Sequence, residues 1–438
     1  MCKQTGEEMI IEFRFKNFKS FKDEAVLNLV ASSDKKLPEN LLVCPDDEKS
    51  KLLGTTAIYG PNASGKSTIF QAFEFARDFI IRSTKSTPDA RINVTPFLLD
   101  SSRLEPSQFE FTFIGNGIRY QYGFAVSNRM VHSEWLISYP KGRPRKLFER
   151  FQENNKTIYE FGTGFKGEKE KIKELTRPNV LFLSVGATFN NEQLLDIYHW
   201  FVSKTDIVGT NDIPEPFIFD FIVKHPNVIN NLKSLIKYAD LGIVDFALSK
   251  KEIGSGNYPE DMPEALRKAI EAFNKAIEEA GDENLKRIDN YDLSISHKSG
   301  EDTFAFPWES ESDGTRRLFG LSAPIFDALE NGKVLFVDEI DRSLHPLLGR
   351  KLVQLFQDPK TNPNGAQLVF NTHDTSLLSS GLLRRDQVWF LEKDQKGASH
   401  IYSLLDYSPR KDEALERGYL QGRYGAVPFL GEYTFGEN

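Results

Sequence analysis

Thr56-Ala57-Ile58-Tyr59-Gly60-Pro61-Asn62-Ala63-Ser64-Gly65-Lys66-Ser67-Thr68 reads as a strand, a loop and the start of a helix. The loop fits the pattern G-x-x-x-x-G-K-[ST], with Gly60, Gly65, Lys66 and Ser67 in the fixed places. The pattern has a physical reason. A loop that wraps a triphosphate must turn its backbone N–H groups inward, and side chains at Gly60 and Gly65 would block that approach. Pro61, Asn62, Ala63 and Ser64 form the arc between the two glycines. Lys66 brings one compact positive charge to the β- and γ-phosphates, and the Ser67 hydroxyl can ligate Mg²⁺. Thr68 continues into a helix through Ile69, Phe70, Ala72 and Phe73. The helix N-terminus adds its dipole to the anion site. ATP and Mg²⁺ are the cofactors this stretch implies.

The chain has 438 residues, which predicts two or three domains. Its 39% hydrophobic content and mean hydropathy of −0.42 are those of a globular protein. No stretch approaches the roughly 18 apolar residues of a membrane helix. Met1 to Glu8 is polar, is not a secretory signal, and is expected to be a flexible leader. Two cysteines, Cys2 and Cys44, make neither a disulfide framework nor a zinc site, so a cytoplasmic location is expected. The net charge of −8 argues against a surface coated for nucleic acid.

Ile10 to Phe21 largely alternates apolar and polar and predicts an edge-type strand. Val26, Leu27 and Leu29 mark a second strand. From Phe97 to Phe161 the alternation repeats as an antiparallel meander. Phe109, Phe111 and Phe113, then Tyr120, Tyr122 and Phe124, are expected core, and Asn116-Gly117 and Lys141-Gly142 stand where hairpin turns belong. Lys141, Arg143, Arg145, Lys146 and Arg150 cluster on one hairpin; they predict a solvated turn, with nucleic-acid contact as the other reading. Lys166 to Thr176 predicts a short helix, Val180 to Leu183 a buried strand or turn, and Glu192 to Lys204 a helix. Phe217 to Tyr238 predicts a helix broken at Pro226. Leu266, Ile270, Phe273 and Ile277 give another amphipathic helix, and Leu293 to Ser296 a short strand. No heptad repeat is sustained, so no long coiled-coil arm is expected.

Nucleotide chemistry returns near the C-terminus. Val334-Leu335-Phe336-Val337-Asp338-Glu339 is an apolar strand ending in two carboxylates. A buried parallel strand with a carboxylate at its C-terminal end is where a Mg²⁺-linked nucleotide site sits. Asp338 is the expected Mg²⁺ partner, through water, and Glu339 the acceptor of a proton from attacking water. Gln367 to Asn371 is a second apolar strand, with His373 just past its end, placed to contact a γ-phosphate. Most of the chain separates Lys66 from Asp338, so the nucleotide fold is split by an insertion.

That layout, with these motifs, resembles the ATP-binding-cassette enzymes of the SMC, RecF and RecN type. Asn17-Phe18-Lys19-Ser20-Phe21 is similar to their N-terminal strand motif. Ser312-Asp313-Gly314-Thr315 resembles a divergent signature, lacking the usual double glycine. The resemblance implies that the Ser312 hydroxyl and the Gly314 amide reach the γ-phosphate held by a second subunit. Asp341 to His345 occupies the position of their D-loop, and His373 that of their switch histidine. Thr95 to Asp100 stands near the position of the Q-loop but offers no glutamine. The fold implied is α/β: a split ABC-type P-loop ATPase fold with an antiparallel β meander and an inserted, mainly helical subdomain. The expected domains are an N-terminal ATPase lobe at 9–165, a helical insertion at 166–291 and a C-terminal ATPase lobe at 292–438.

Within that superfamily the chain resembles the stand-alone bacterial anti-phage ATPases of the RloA or AbiLi type. These are related to the ATPase subunit AriA of PARIS systems and to OLD-family ATPase domains. The resemblance runs through residues 60–67, Asp338 to Pro346, Asn371-Thr372-His373-Asp374 and the tail motif Gly422-Arg423-Tyr424-Gly425. It implies an ATP hydrolase that gates abortive infection. It further implies a homo-oligomer, at least a dimer through the ATP sites, a phage-derived trigger and a separate effector nuclease. The residues after His373 are too few for a Toprim domain of about 100 residues, so a nuclease of the RloB or AriB type is expected from another chain. Two other readings stand beside it: a RecF-like DNA-repair clamp, which needs a basic face, and an assembly scaffold that holds nucleotide with negligible turnover. DNA contact is not favoured, and no membrane partner is expected.

Overall fold

The structure is a computed structural model that describes residues 8–47, 49–154, 156–209, 215–239, 242–251, 264, 268, 290–410 and 413–428. The four residues of the amphipathic pattern, Leu266, Ile270, Phe273 and Ile277, and residues 1–7 of the expected leader lie outside these. The chain divides into two compact units. The first holds residues 1–210, 327–341 and 345–438; the second holds residues 211–326 and 342–344. No helix among the described residues is long and apolar enough to cross a membrane.

The first unit contains two large sheets. Strands β1 (Met9–Lys16) and β2 (Ala25–Asn28) pair with each other, and β3 (Leu41–Val43) with β4 (Lys51–Leu53). β5 (Thr55–Tyr59) leads into the phosphate loop and helix α1 (Lys66–Arg82). The meander follows as β6 (Ser107–Gly115), β7 (Ile118–Val126), β8 (Val131–Ser138), β9 (Arg145–Glu153) and β10 (Lys156–Phe161). Helices α2 (Lys169–Leu175), α3 (Phe182–Thr188) and α4 (Glu192–Ser203) lead to β11 (Thr205–Val208). The antiparallel sheet has the order β10-β9-β8-β7-β6-β1-β2.

β1 is therefore an inner strand, not the edge strand its alternation suggested. It pairs with β6 on one side and β2 on the other. Alternation reports which face meets the core and says nothing about neighbours in the sheet plane. Phe13 and Phe15 take the core face, while Glu12 and Arg14 pair on the other at 2.5 Å. Five of the six named meander aromatics are core as expected: Phe109, Phe111, Phe113, Tyr122 and Phe124 are fully buried, while Tyr120 is half-buried against that core. Gly123 is required where it stands, since a Cβ there would lie 2.3 Å from the Trp135 ring.

The basic hairpin is partly consumed within the unit. Lys146 pairs with Glu149 and Glu160, and Arg150 is buried against Glu134 at 2.8 Å. Glu134 also accepts from the backbone N–H groups of Phe182 and Leu183, at 2.7 and 2.9 Å. This carboxylate caps α3, whose first turn falls where a buried strand or turn was expected. The capping group comes from β8, so nothing local to Val180–Leu183 announces a helix.

In the second unit, α5 (Glu215–Lys224) and α6 (Pro226–Tyr238) flank the predicted break at Pro226. Strands β12 (Ile243–Lys251), β13 (Asn290–Ser299) and β14 (Asp302–Pro307) form an antiparallel sheet with β13 at its centre. Sequence reading reached the middle of β13 alone. Helix α7 (Asp313–Asn331) begins in this unit and carries the chain back to the first.

There β15 (Val334–Val337), helix α8 (Pro346–Gln357) and β16 (Gln367–Asn371) complete the nucleotide fold, and β17 (Val388–Lys393) and β18 (Ser399–Ser403) make the expected hairpin. The second large sheet has the order β11-β15-β16-β5-β17-β18, parallel from β11 to β17. α1 lies between the two sheets. Phe73 stacks on Phe336 of β15 at 3.9 Å and meets Phe111 of β6 edge-on at 5.4 Å. The architecture is the split ABC-type P-loop fold: a parallel nucleotide sheet, a helix behind its central strand, and an antiparallel sheet over that helix.

Candidate functional site

Parallel strands end on the same edge of a sheet, and that edge carries the site. β5 is buried throughout and ends at Tyr59, so Gly60 opens the loop at the sheet rim. The loop turns tightly. Ala63 has φ 62° and Gly65 φ 109°, and Gly65 is the N-cap of α1. A Cβ on Gly65 would lie 2.6 Å from Ser399 Oγ, and one on Gly60 would lie 2.6 Å from the Leu391 carbonyl oxygen. Both glycines are dictated by close packing behind the loop, besides the approach of a phosphate. Pro61, Asn62, Ala63 and Thr68 are half-buried or exposed along the arc, while Ser64 is buried.

Lys66 is 7% exposed, and its ammonium folds back on the loop, donating to the carbonyls of Gly60 at 2.7 Å and Pro61 at 3.1 Å. Burial pulls this ammonium below its usual range; Glu339, Asp338 and Asp341 pull it back up. The Ser64 hydroxyl is buried in the same cradle with no protein partner. A buried ammonium spanning two carbonyls and an orphaned hydroxyl fit a loop shaped for an anion.

β15 brings Asp338 to the rim beside the loop. Ser67 Oγ donates to Asp338 Oδ1 at 3.2 Å. Two oxygens at that separation can share one Mg²⁺, whose ligand distances are about 2.0–2.1 Å. No group of three or more His, Cys, Asp or Glu among the described residues could hold a metal alone. The pair fits Mg²⁺ all the same, because in nucleotide sites it takes one or two protein oxygens and fills its shell with water and phosphate. Burial pushes the Asp338 carboxyl up; hydrogen bonds from Asn371 and Ser67 pull it down, Glu339 adds to the rise, and Lys66 opposes it.

Asn371, quoted from the sequence only as part of a motif and given no role there, organises the carboxylate corner. It ends β16, between β5 and β15, and is fully buried. Its Nδ2 donates to Asp338 Oδ1, and its Oδ1 accepts from the Glu339 backbone N–H at 2.6 Å. Its carbonyl accepts from Ile340 N at 3.2 Å. Glu339 sits at φ 53°, a left-handed conformation costly for this residue type and held by that amide. The available signal was an amide at the end of an apolar buried strand, where a polar side chain needs a partner.

His373 lies two residues further on and is exposed. Its backbone N–H donates to Asp341 Oδ2 at 3.1 Å, so the first residue of the expected D-loop fixes the histidine's turn. The structure thus gathers Gly60 to Thr68, Asp338, Glu339 and His373 in the first unit. Ser312 and Gly314 belong to the second. There Ser312 Oγ accepts from Thr315 N at 3.2 Å and caps the start of α7. A Cβ on Gly314 would lie 2.8 Å from the Ser343 carbonyl oxygen, so backbone approaches backbone at that glycine. The Asn17 motif packs under the Thr95–Asp100 segment: Asn17 Oδ1 accepts from Phe97 N at 3.0 Å, and the Lys19 amide donates to the Thr95 carbonyl at 2.8 Å.

A family model described as "AAA domain, putative AbiEii toxin, Type IV TA system" matches residues 55–379, from the strand before the loop to just past His373. The chain belongs to this family, AAA_21. Among solved structures, the SMC head bound to the C-winged helix domain of ScpA is 14% identical, with a TM-score of 0.39, over 90% of this chain and 97% of that one. The SMC head domain from Thermotoga maritima is 15% identical, with a TM-score of 0.37, over 90% and 98%. The Smc head domain with an extended coiled coil, bound to the C-terminal domain of ScpA derived from Pyrococcus furiosus, is 12% identical, with a TM-score of 0.35, over 92% and 98%. No curated protein matches the sequence. This AAA_21 chain carries the phosphate loop of a P-loop ATPase family, which implies nucleotide binding.

Proposed function

We propose that the chain hydrolyses Mg-ATP and uses the ATP-bound state to assemble with further copies of itself, gating a separate effector nuclease in an anti-phage, abortive-infection system. The observation that carries the ATPase reading is the convergence of Lys66, Ser67, Asp338 and Glu339 at one sheet edge, with Asn371 bracing the Asp338 carboxylate and the Glu339 backbone. Gly60 to Thr68 wrap the triphosphate, and Lys66 leaves its carbonyls for the β- and γ-phosphates. Ser67 and Asp338 would hold Mg²⁺, which when bound offsets the phosphate charge. Glu339 accepts a proton from a water whose oxygen attacks the γ-phosphorus; the bond to the β,γ-bridging oxygen breaks, giving ADP and phosphate. His373 contacts the γ-phosphate and reports its loss.

The link to defence is supported by the family to which the chain belongs and by the arrangement of its motifs. Two of the five cations on the basic hairpin are bound to carboxylates, which gives the DNA-clamp reading no support. Assembly through Ser312 and Gly314 rests on the resemblance of that segment to a signature.

The test is light scattering behind size exclusion, with and without Mg-ATP. Glu339→Gln keeps the shape and removes the proton acceptor, so it should trap a larger assembly in Mg-ATP. Adding Ser312→Arg should return the protein to its ATP-free size. A Glu339→Gln protein of one size in all conditions would refute ATP-gated assembly.

A further inference from the structure

The tail motif Gly422-Arg423-Tyr424-Gly425 has no part in the cradle, and its surroundings give it one near the histidine. The turn after His373 is fixed from three directions. Asp341 accepts from the His373 N–H. Tyr59, the residue before Gly60, is buried and donates its hydroxyl to the Asp374 carbonyl at 3.1 Å. Thr375 Oγ1 donates to Glu416 Oε1 at 2.9 Å. Glu416 lies on the short helix Leu415–Leu420, and Tyr419 of the same helix packs its ring on Tyr59 at 5.7 Å.

That helix rests on a rigid base. Tyr419 stacks on Phe390 of β17 at 5.3 Å, and its hydroxyl donates to the Ala426 carbonyl at 3.0 Å. Tyr424 also stacks on Phe390, at 5.9 Å, and its carbonyl accepts from the Tyr402 hydroxyl at 2.9 Å. Gly425 has φ 65°, and a Cβ there would lie 2.6 Å from the Tyr402 hydroxyl. The glycine-tyrosine motif therefore lets the tail close against the β17–β18 hairpin, and the closed tail presents Glu416 and Tyr419 to the turn at 374–375.

We propose that residues 413–428 are a positioning strap for the His373 turn. Glu416 holds Thr375, and Tyr419 backs Tyr59 against Asp374; His373 keeps its aim while both are in place, a role that rests on the reading of His373 as the γ-phosphate contact. Glu416 and Tyr419 are positioning residues. They act through Thr375 and Tyr59.

Glu416→Ala removes the acceptor, whereas Glu416→Gln keeps an oxygen that can accept from Thr375. Amide hydrogen exchange on the full chain is the first readout, since it needs no turnover. In Glu416→Ala, a peptide covering 372–378 should exchange about tenfold faster, the scale of one hydrogen bond to a carboxylate, with 60–68 unchanged. Glu416→Gln should restore protection. Thr375→Val removes the same bond with a side chain of the same shape, should give the same result, and serves if Glu416→Ala does not fold. The second readout is steady-state hydrolysis: Glu416→Ala should lower kcat about tenfold with KM for ATP unchanged, and Glu416→Ala combined with Thr375→Val should lose no more than either single variant. Unchanged exchange at 372–378, a rise spread evenly over the first unit, or a Glu416→Gln protein as damaged as Glu416→Ala would overturn the strap. Faster local exchange with unaltered kcat would overturn its link to His373. A wild-type protein that hydrolyses nothing would refute the ATPase reading, and the exchange result would still decide the strap.

Discussion

Asn371→Ala tests the carboxylate corner. The substitution deletes two side-chain hydrogen bonds: the part-buried neutral one from Glu339 N, and the buried one from Nδ2 to the Asp338 carboxylate. A neutral bond contributes about 1 kcal/mol and one to a charged group about 1.5–3, so the pair is worth about 2.5–4 kcal/mol. The loss divides between two measurements. Urea unfolding should show the variant less stable by about 2 kcal/mol at unchanged m, because Glu339 N loses its Asn371 acceptor at a residue already in a left-handed conformation. The remainder should appear in the Mg²⁺ dependence of ATP binding. Asp338 then loses the Asn371 donor and keeps that of Ser67, and its carboxylate can turn away. About 1.4 kcal/mol is tenfold in an equilibrium constant, so half-saturating Mg²⁺ should rise about tenfold, with Mg²⁺-free nucleotide binding little changed. An Asn371→Ala protein with the wild-type urea midpoint and the wild-type Mg²⁺ dependence would refute the bracing role.

Gly65→Ala should abolish ATP binding by equilibrium dialysis and lower stability, since the new methyl meets Ser399 at a backbone conformation that alanine resists. Wild-type affinity in that variant would show that the loop does not need its turn. Burial and the neighbouring Asp46 push the Cys44 thiol up to about 11, so at pH 8 it should resist iodoacetamide in the folded protein and react once urea unfolds it, as read by peptide mass spectrometry. Rapid labelling of Cys44 in the native protein would contradict its burial.

The parts of the site that were legible in the sequence are those whose chemistry is local. A loop that must present backbone amides writes its glycines at fixed offsets, and Asp338-Glu339 ends a run apolar enough to be a buried parallel strand. The role of Asn371 was hidden because its work is tertiary: its partners lie just past the end of β15, and the intervening helix α8 and its loops say nothing about them. The same distinction explains the fold. The meander aromatics follow the two-residue period and were read correctly. β1 was misplaced at an edge because its neighbour β6 lies far along the chain, and α3 was misread because its cap, Glu134, is on β8. β12 and β14 escaped notice; β14 is exposed along its whole length, so no buried face marks it as a strand.

The central claim is that the residues at this sheet edge bind ATP and that Glu339 drives its hydrolysis. Single-turnover hydrolysis of radiolabelled Mg-ATP, with protein in excess, tests it most directly on wild type, Lys66→Ala and Glu339→Gln. Wild type should bind and convert the nucleotide, Lys66→Ala should not bind, and Glu339→Gln should bind normally and convert it slower by about a hundredfold or more. Glu339→Gln turning over at the wild-type rate, or Lys66→Ala binding ATP undiminished, would contradict the account.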